Sequence, residues 1–216
     1  MILEHVHISR GVTKLGVDIP SVNLPPVCTC RPNAPCTKKC YARNGRFACV
    51  HNKELLATNL SIWNEQPELF KNDVKIAAFK HRFFRWHAAG DIPNEDYMRM
   101  IVQVAIDLPA TRFLCFTKKF EIVNNYIDKY GSLPQNLTVV FSAWGSFIPE
   151  NPHSLPVAYV DLYGEECNIP ADAIKCHGHC DECVPLGCSC WDLRHGQSVV
   201  LMEQNRRRKH KEHNEH

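Results

Sequence analysis

With 216 residues, 44% of them hydrophobic and 22% charged, and a formal net charge of +2, the chain has the make-up of an ordinary globular protein. That length suits one domain able to bury a substantial core without covalent staples. The charge balance is too close to neutral to argue for nucleic acid, and no signal peptide or bilayer-spanning apolar run is evident. The expected setting is the cytoplasm, with no membrane partner, where disulfides are rare.

After a cysteine-rich loop, "HNKELLATNLSIWNEQPELFKNDVKIAAFKH" has helix-forming composition broken at Pro67. "RFFRWHAAGD" reads as an aromatic-rich strand. In "PNEDYMRMIVQVAIDLP", Ile101, Val104, Ala105 and Leu108 recur at helical spacing, with Asn94 as N-cap and Pro109 as stop. "TRFLCFTKK" is the next strand, and "FEIVNNYIDKYG" a helix closed by a left-handed cap at Gly131. "NLTVVFSAWGS", "PVAYVDLY" and "QSVVLME" complete the strands.

Strands alternating with helices predict an α/β fold with a mainly parallel sheet. The expected architecture is a partial or open (β/α) barrel with cysteine-rich loops near both chain ends; a doubly wound sheet fits the same pattern. Residues 1–202 read as one metal-binding domain and 203–216, "EQNRRRKHKEHNEH", as a charged tail.

Of 12 cysteines, Cys28, Cys30, Cys36 and Cys40 fall in "CTCRPNAPCTKKC", and Cys176, Cys180, Cys183, Cys188 and Cys190 in "CHGHCDECVPLGCSC". Cys49, Cys115 and Cys167 stand apart. Thiols so close in sequence do not easily pair with each other, and in a reducing compartment they read as metal ligands. Zinc favours paired C-x2-C knuckles, a spacing found only at Cys180 and Cys183, while His177 and His179 keep zinc open. The irregular spacings suit loops wrapped around a [4Fe–4S] cluster, or more than one, better than a zinc finger. Cys176, Cys180 and Cys183 also share the C-x3-C-x2-C spacing of the radical S-adenosylmethionine enzymes. In those enzymes, however, the triplet follows the first strand of a partial barrel.

Ligands in parallel α/β folds collect at the carboxyl ends of strands. There the chain places Arg85, His87 and Asp91, then Lys118, with Ser142 and Asp161 as weaker candidates. These residues either line a polar small-molecule pocket or are ordinary loop polarity, with His87 a hydrogen-bonded structural histidine, Asp91 a helix N-terminal residue and Lys118 solvated. No Walker loop and no G-x-G-x-x-G is present.

"CRPNAPCTKKCYARNGRF", "FFRWHAAGD", "RFLCFTKK" and the closing cluster ending in "CW" together resemble the phage gene-product-88 family over residues 20 to 195. The resemblance implies that Cys30, Cys36 and Cys40 form one motif, and Cys176, Cys180, Cys183 and Cys190 another, with Cys28 and Cys188 as extras. It also implies a location in the host cytoplasm. The leading expectation is an iron–sulfur protein doing redox or radical-type chemistry on a small molecule, served by an electron donor. The alternative is a zinc-stapled module, not an enzyme, whose basic tail binds nucleic acid or a host protein.

Overall fold

The computed structural model describes residues 5–12, 14–162, 168–187 and 189–202. Cys167, Cys188 and the basic tail 203–216 lie outside the described residues. One sheet contains β1 (Ile8–Ser9), β2 (Ser21–Val22), β3 (Phe83–Trp86), β4 (Arg112–Thr117), β5 (Leu137–Ser142), β6 (Val157–Asp161), β7 (Ile174–Lys175) and β8 (Ser198–Met202). The helices are α1 (Val50–Glu65), α2 (Pro67–Phe79), α3 (Glu95–Asp107), α4 (Phe120–Tyr130) and the single turn α5 (Cys180–Cys183).

The strands lie in the order β1-β2-β3-β4-β5-β6-β8-β7. Only β1 runs antiparallel to its neighbour; the other pairings are parallel. From β2 to β6 neighbours in space are neighbours in sequence, which is the winding of a barrel; a doubly wound sheet would grow outward in both directions from its middle. β1 and β7 end the sheet without meeting, so the barrel stays open.

Local chemistry explains the element boundaries. Pro67 starts α2 at a position where its missing N–H is no loss, and α1 has ended at Glu65. Asn94 caps α3 by accepting a hydrogen bond from the Tyr97 amide at 2.9 Å. Gly131 does stop α4 at positive φ, but with φ 89° and ψ −157° rather than the left-handed helical cap expected from sequence. That region of backbone space is essentially reserved for glycine, so the same residue ends the helix with the chain extended.

Strand alternation gives the sheet two faces. On the outer face Phe84, Trp86, Phe113, Val139 and Phe141 pack against Phe70, Val74, Tyr97, Ile101 and Val123 of the helices. Aromatic contacts knit this layer, including Trp63 on Tyr97 at 4.7 Å and Phe84 on Trp86 at 5.6 Å. Each such ring contributes about 2–3 kcal/mol through burial. The inner face carries Phe83, Leu114, Val140, Ala158 and Val199, covered by Leu15, Ile19, Trp191 and the cysteine-rich segment before β8. Helices thus cover one side, and the C-terminal cysteine segment packs into the open barrel's interior.

Candidate functional site

The carboxyl ends of β3, β4 and β5 converge on the inner face. Arg85 follows Phe83 by two residues and shares its side of β3; its guanidinium stacks over the Phe116 ring at 4.2 Å. Lys118, next in alternation after Leu114 and Phe116, donates from Nζ to Ser142 Oγ at 2.7 Å and sits 5.9 Å over the Trp144 ring. The structure therefore brings Arg85, Lys118 and Ser142 to one mouth. Asp161 ends β6 opposite Met202, two strands beyond Lys118.

His87 and Asp91 are placed otherwise. Alternation would turn His87 inward, but its φ of 55° breaks the alternation and swings the ring into the helix layer. There Nε2 meets the Tyr97 hydroxyl at 3.0 Å, Nδ1 has no partner among the described residues, and burial lowers the pKa to about 3. His87 is therefore a neutral core histidine. Asp91 is buried with both oxygens occupied: Oδ1 accepts from the Ile92 amide at 2.8 Å and Thr117 Oγ1 at 2.6 Å, and Oδ2 from the Lys118 amide at 2.9 Å. Burial raises its pKa, and those hydrogen bonds oppose the rise. It fastens two strand ends together.

The N-terminal cysteine loop is clamped to that same edge. Buried Asn23 accepts from the Ala88 and Ala89 amides at 2.6 and 2.9 Å, and Thr29 Oγ1 accepts from the Asp91 amide at 3.1 Å. Tyr41 donates its hydroxyl to the Ala88 carbonyl. Gly90, at φ 82°, passes so close that a Cβ there would stand 2.5 Å from the Leu24 carbonyl oxygen. Val27 is held at φ 76°, a strained value for a β-branched residue.

Within this loop Cys30, Cys36 and Cys40 form one electrostatic group with Asp91. Burial raises Cys30 to about 11, and Asp91, Cys40 and Cys36 push it the same way. Cys36 is also raised by burial, with the Lys118 ammonium opposing. Cys28 stands apart, exposed, with its thiol turned to the Pro25 carbonyl at 3.5 Å.

The second group surrounds a pocket in the interior segment. Cys176 follows β7, Cys180 and Cys183 lie on α5, and Cys190 opens a single helical turn; all four line the pocket, with His177 and His179 beside them. Backbone bonds fix the frame, from the Cys176 amide to the Val200 carbonyl at 2.9 Å and from the Cys180 amide to the Lys14 carbonyl at 2.7 Å. Cys190 is held through its neighbours. Arg112 donates to the Trp191 carbonyl at 2.6 Å and to Asp192 at 2.7 Å, and Thr138 donates to the Trp191 carbonyl at 2.9 Å. Burial pushes Cys190 up to about 12 and raises Cys180; neighbouring thiols add to both shifts, while Arg85 opposes them.

In each group one ionised thiol therefore makes the next harder to ionise. A bound cation that accepts thiolate donors relieves that repulsion, and in this respect the donor set fits a soft metal or a cluster. Among the described residues no three or more His, Cys, Asp or Glu side chains converge on the position of one metal ion. No disulfide bridges any two of the described cysteines, and no described helix is long and apolar enough to cross a membrane. Cys115 is buried in the outer layer, outside both groups.

Asn23, Thr29, Tyr41 and Arg112 shape these sites and were not singled out from sequence. Tyr41, Thr29 and Arg112 lie within quoted motifs, directly after Cys40, between Cys28 and Cys30 and at the head of "RFLCFTKK", but no residue pattern assigned them a role; Asn23 is an ordinary polar residue until the fold pairs it. No curated protein and no solved structure matches the chain. The model of the Gene product 88 family matches residues 6–210, and the chain belongs to that bacteriophage family.

Proposed function

We propose that the protein is an iron–sulfur protein doing redox or radical-type chemistry on a small molecule at the carboxyl ends of its parallel strands. The observation that carries this reading is the pocket lined by Cys176, Cys180, Cys183 and Cys190, four thiols, the number that one cubane takes. Bound there, a cluster would supply single-electron transfer. The chain's own contribution is to shield those thiols from water, hold Cys190 through Arg112 and Thr138, and set the Arg85 cation nearby.

The three-thiol group of Cys30, Cys36 and Cys40 follows β2, the first strand of the parallel run. Three thiolates leave one iron of a cubane open. The radical S-adenosylmethionine enzymes carry their triplet at this place in the fold, although the spacing here is C-x5-C-x3-C. We extend the proposal to a second cluster at this loop, with S-adenosylmethionine as the ligand to try first.

Purification without oxygen, followed by iron and sulfide analysis, tests the reading. A brown protein with matching iron and sulfide supports it; a colourless protein with stoichiometric zinc contradicts it. His177 and His179 beside the four cysteines favour zinc as the second reading, since imidazole and thiolate together suit that ion. In that reading the metal staples the chain ends, and deletion of 203–216 should abolish any salt-sensitive binding to nucleic acid.

A further inference from the structure

Two cations on the inner face lack the partners that such groups ordinarily have. Arg85 is partly buried, yet it forms no ion pair with any described residue. Its Nε donates to the Trp86 carbonyl at 3.1 Å, and its two terminal nitrogens make no hydrogen bond within the described residues. The Phe116 ring below holds the guanidinium plane in place. Lys118 is also partly buried and, among the described residues, its ammonium pairs with no carboxylate. Its one side-chain hydrogen bond there, to Ser142, leaves two of its three donors unused.

Charges withdrawn from water are normally paired, and other basic residues of this chain obey that rule. Arg112 meets Asp192 at 2.7 Å, Lys75 meets Asp107 at 2.6 Å and Arg31 meets Glu121 at 2.5 Å. Among the described residues Arg85 and Lys118, which flank Phe116 at the strand ends, depart from that rule, as does the neighbouring Lys119. A planar fork with both tips open is the geometry that grips carboxylate or phosphate bidentately, and an ammonium with a neighbouring hydroxyl is its usual complement.

We propose that Arg85, Lys118 and Ser142 form an oxyanion-binding site, and that the small molecule handled by this protein carries a carboxylate or phosphate group seated there. This rests on the small-molecule reading above and adds the chemical class of the substrate. The ligand would lie along the strand ends, with its anionic group at the open tips of the Arg85 fork and the remainder toward the Cys36–Cys40 loop.

The full-length protein, isolated without oxygen, is titrated with inorganic phosphate and separately with malonate by calorimetry, with chloride as the control anion. Saturable binding of either oxyanion is expected, with phosphate preference pointing to phosphate esters and malonate preference to carboxylic acids. Arg85→Gln and Lys118→Gln should each weaken binding about tenfold, as loss of a charge-assisted contact requires. Lys118→Arg should bind nearly as wild type, and Arg99→Gln, remote at the surface, should change nothing. Absence of oxyanion binding, or undiminished binding in both glutamine variants, overturns the proposal. Iron and sulfide are measured on the same samples. Binding without cluster leaves this site standing and removes the iron–sulfur reading, and cluster without binding does the reverse. Glutamine variants that lose metal, from a wild type that binds no oxyanion, would assign both cations to the thiolates and overturn the site.

Discussion

Thr117 donates its hydroxyl to Asp91 at 2.6 Å, and with the Lys118 amide it ties the end of β4 to the loop leaving β3. The same loop holds the N-terminal cysteine segment through Thr29. Asp91→Ala strands three donors and should cost about 2–4 kcal/mol in urea unfolding. The pH sign follows from burial, which raises the Asp91 carboxyl above its ordinary 3.8. Its contribution is fully present below that value and is lost as pH rises through the folded pKa, because the folded state releases its proton later. Asp91→Asn should remove this component, seen as a flatter stability profile above pH 3.8 than wild type.

His87 works in the opposite direction. Its folded pKa of about 3 lies below the ordinary 6.5, so the unfolded chain binds the proton first. Stability from this group is complete above 6.5 and lost as pH falls toward 3, at up to about 1.4 kcal/mol per pH unit. His87→Asn keeps a residue tolerant of positive φ and should abolish that acid-side loss in unfolding curves compared at pH 7 and pH 5.

Two glycines separate strain from collision. A Cβ at Gly131, where φ is 89°, would meet open space, whereas at Gly90 it would stand 2.5 Å from the Leu24 carbonyl oxygen. Gly131→Ala should cost about 1–3 kcal/mol from backbone conformation alone. Gly90→Ala adds a backbone collision and should exceed it by at least about 1 kcal/mol. It should also loosen the cysteine loop, read as faster alkylation of Cys30 and Cys36.

Trp191 closes the floor of the inner face at 2% exposure, edge-on to Phe83 at 5.6 Å. Trp191→Ala should cost about 3–5 kcal/mol. It also removes the indole packed beside Cys190, so that thiol should label faster with iodoacetamide than in the wild type, while Cys115 in the helix-covered layer should not change.

Much of the framework was legible because it follows local rules. The break at Pro67, the Asn94 cap and the apolar runs of β3 to β6 are set by backbone chemistry and strand composition. The two-residue strands β1, β2 and β7 carry too short a pattern to read, and only their partners make them strands. The sequence left barrel and doubly wound sheets open; strand order decides between them. Within the site, Arg85 and Lys118 sit where strand-end reasoning put them. His87 does not, because one positive φ reverses the side it faces, and no residue pattern announces that. The cysteines fall into two places in the fold, Cys30, Cys36 and Cys40 after β2 and Cys176, Cys180, Cys183 and Cys190 around the interior pocket.

The most direct test of the account is iron and acid-labile sulfide content in three oxygen-free preparations: wild type, a Cys30/Cys36/Cys40→Ser variant, and a Cys176/Cys180/Cys183/Cys190→Ser variant. The account predicts two cubanes in the wild type and about half the iron and sulfide in each variant. Zinc in place of iron and sulfide, or variants that hold as much cluster as wild type, would contradict it.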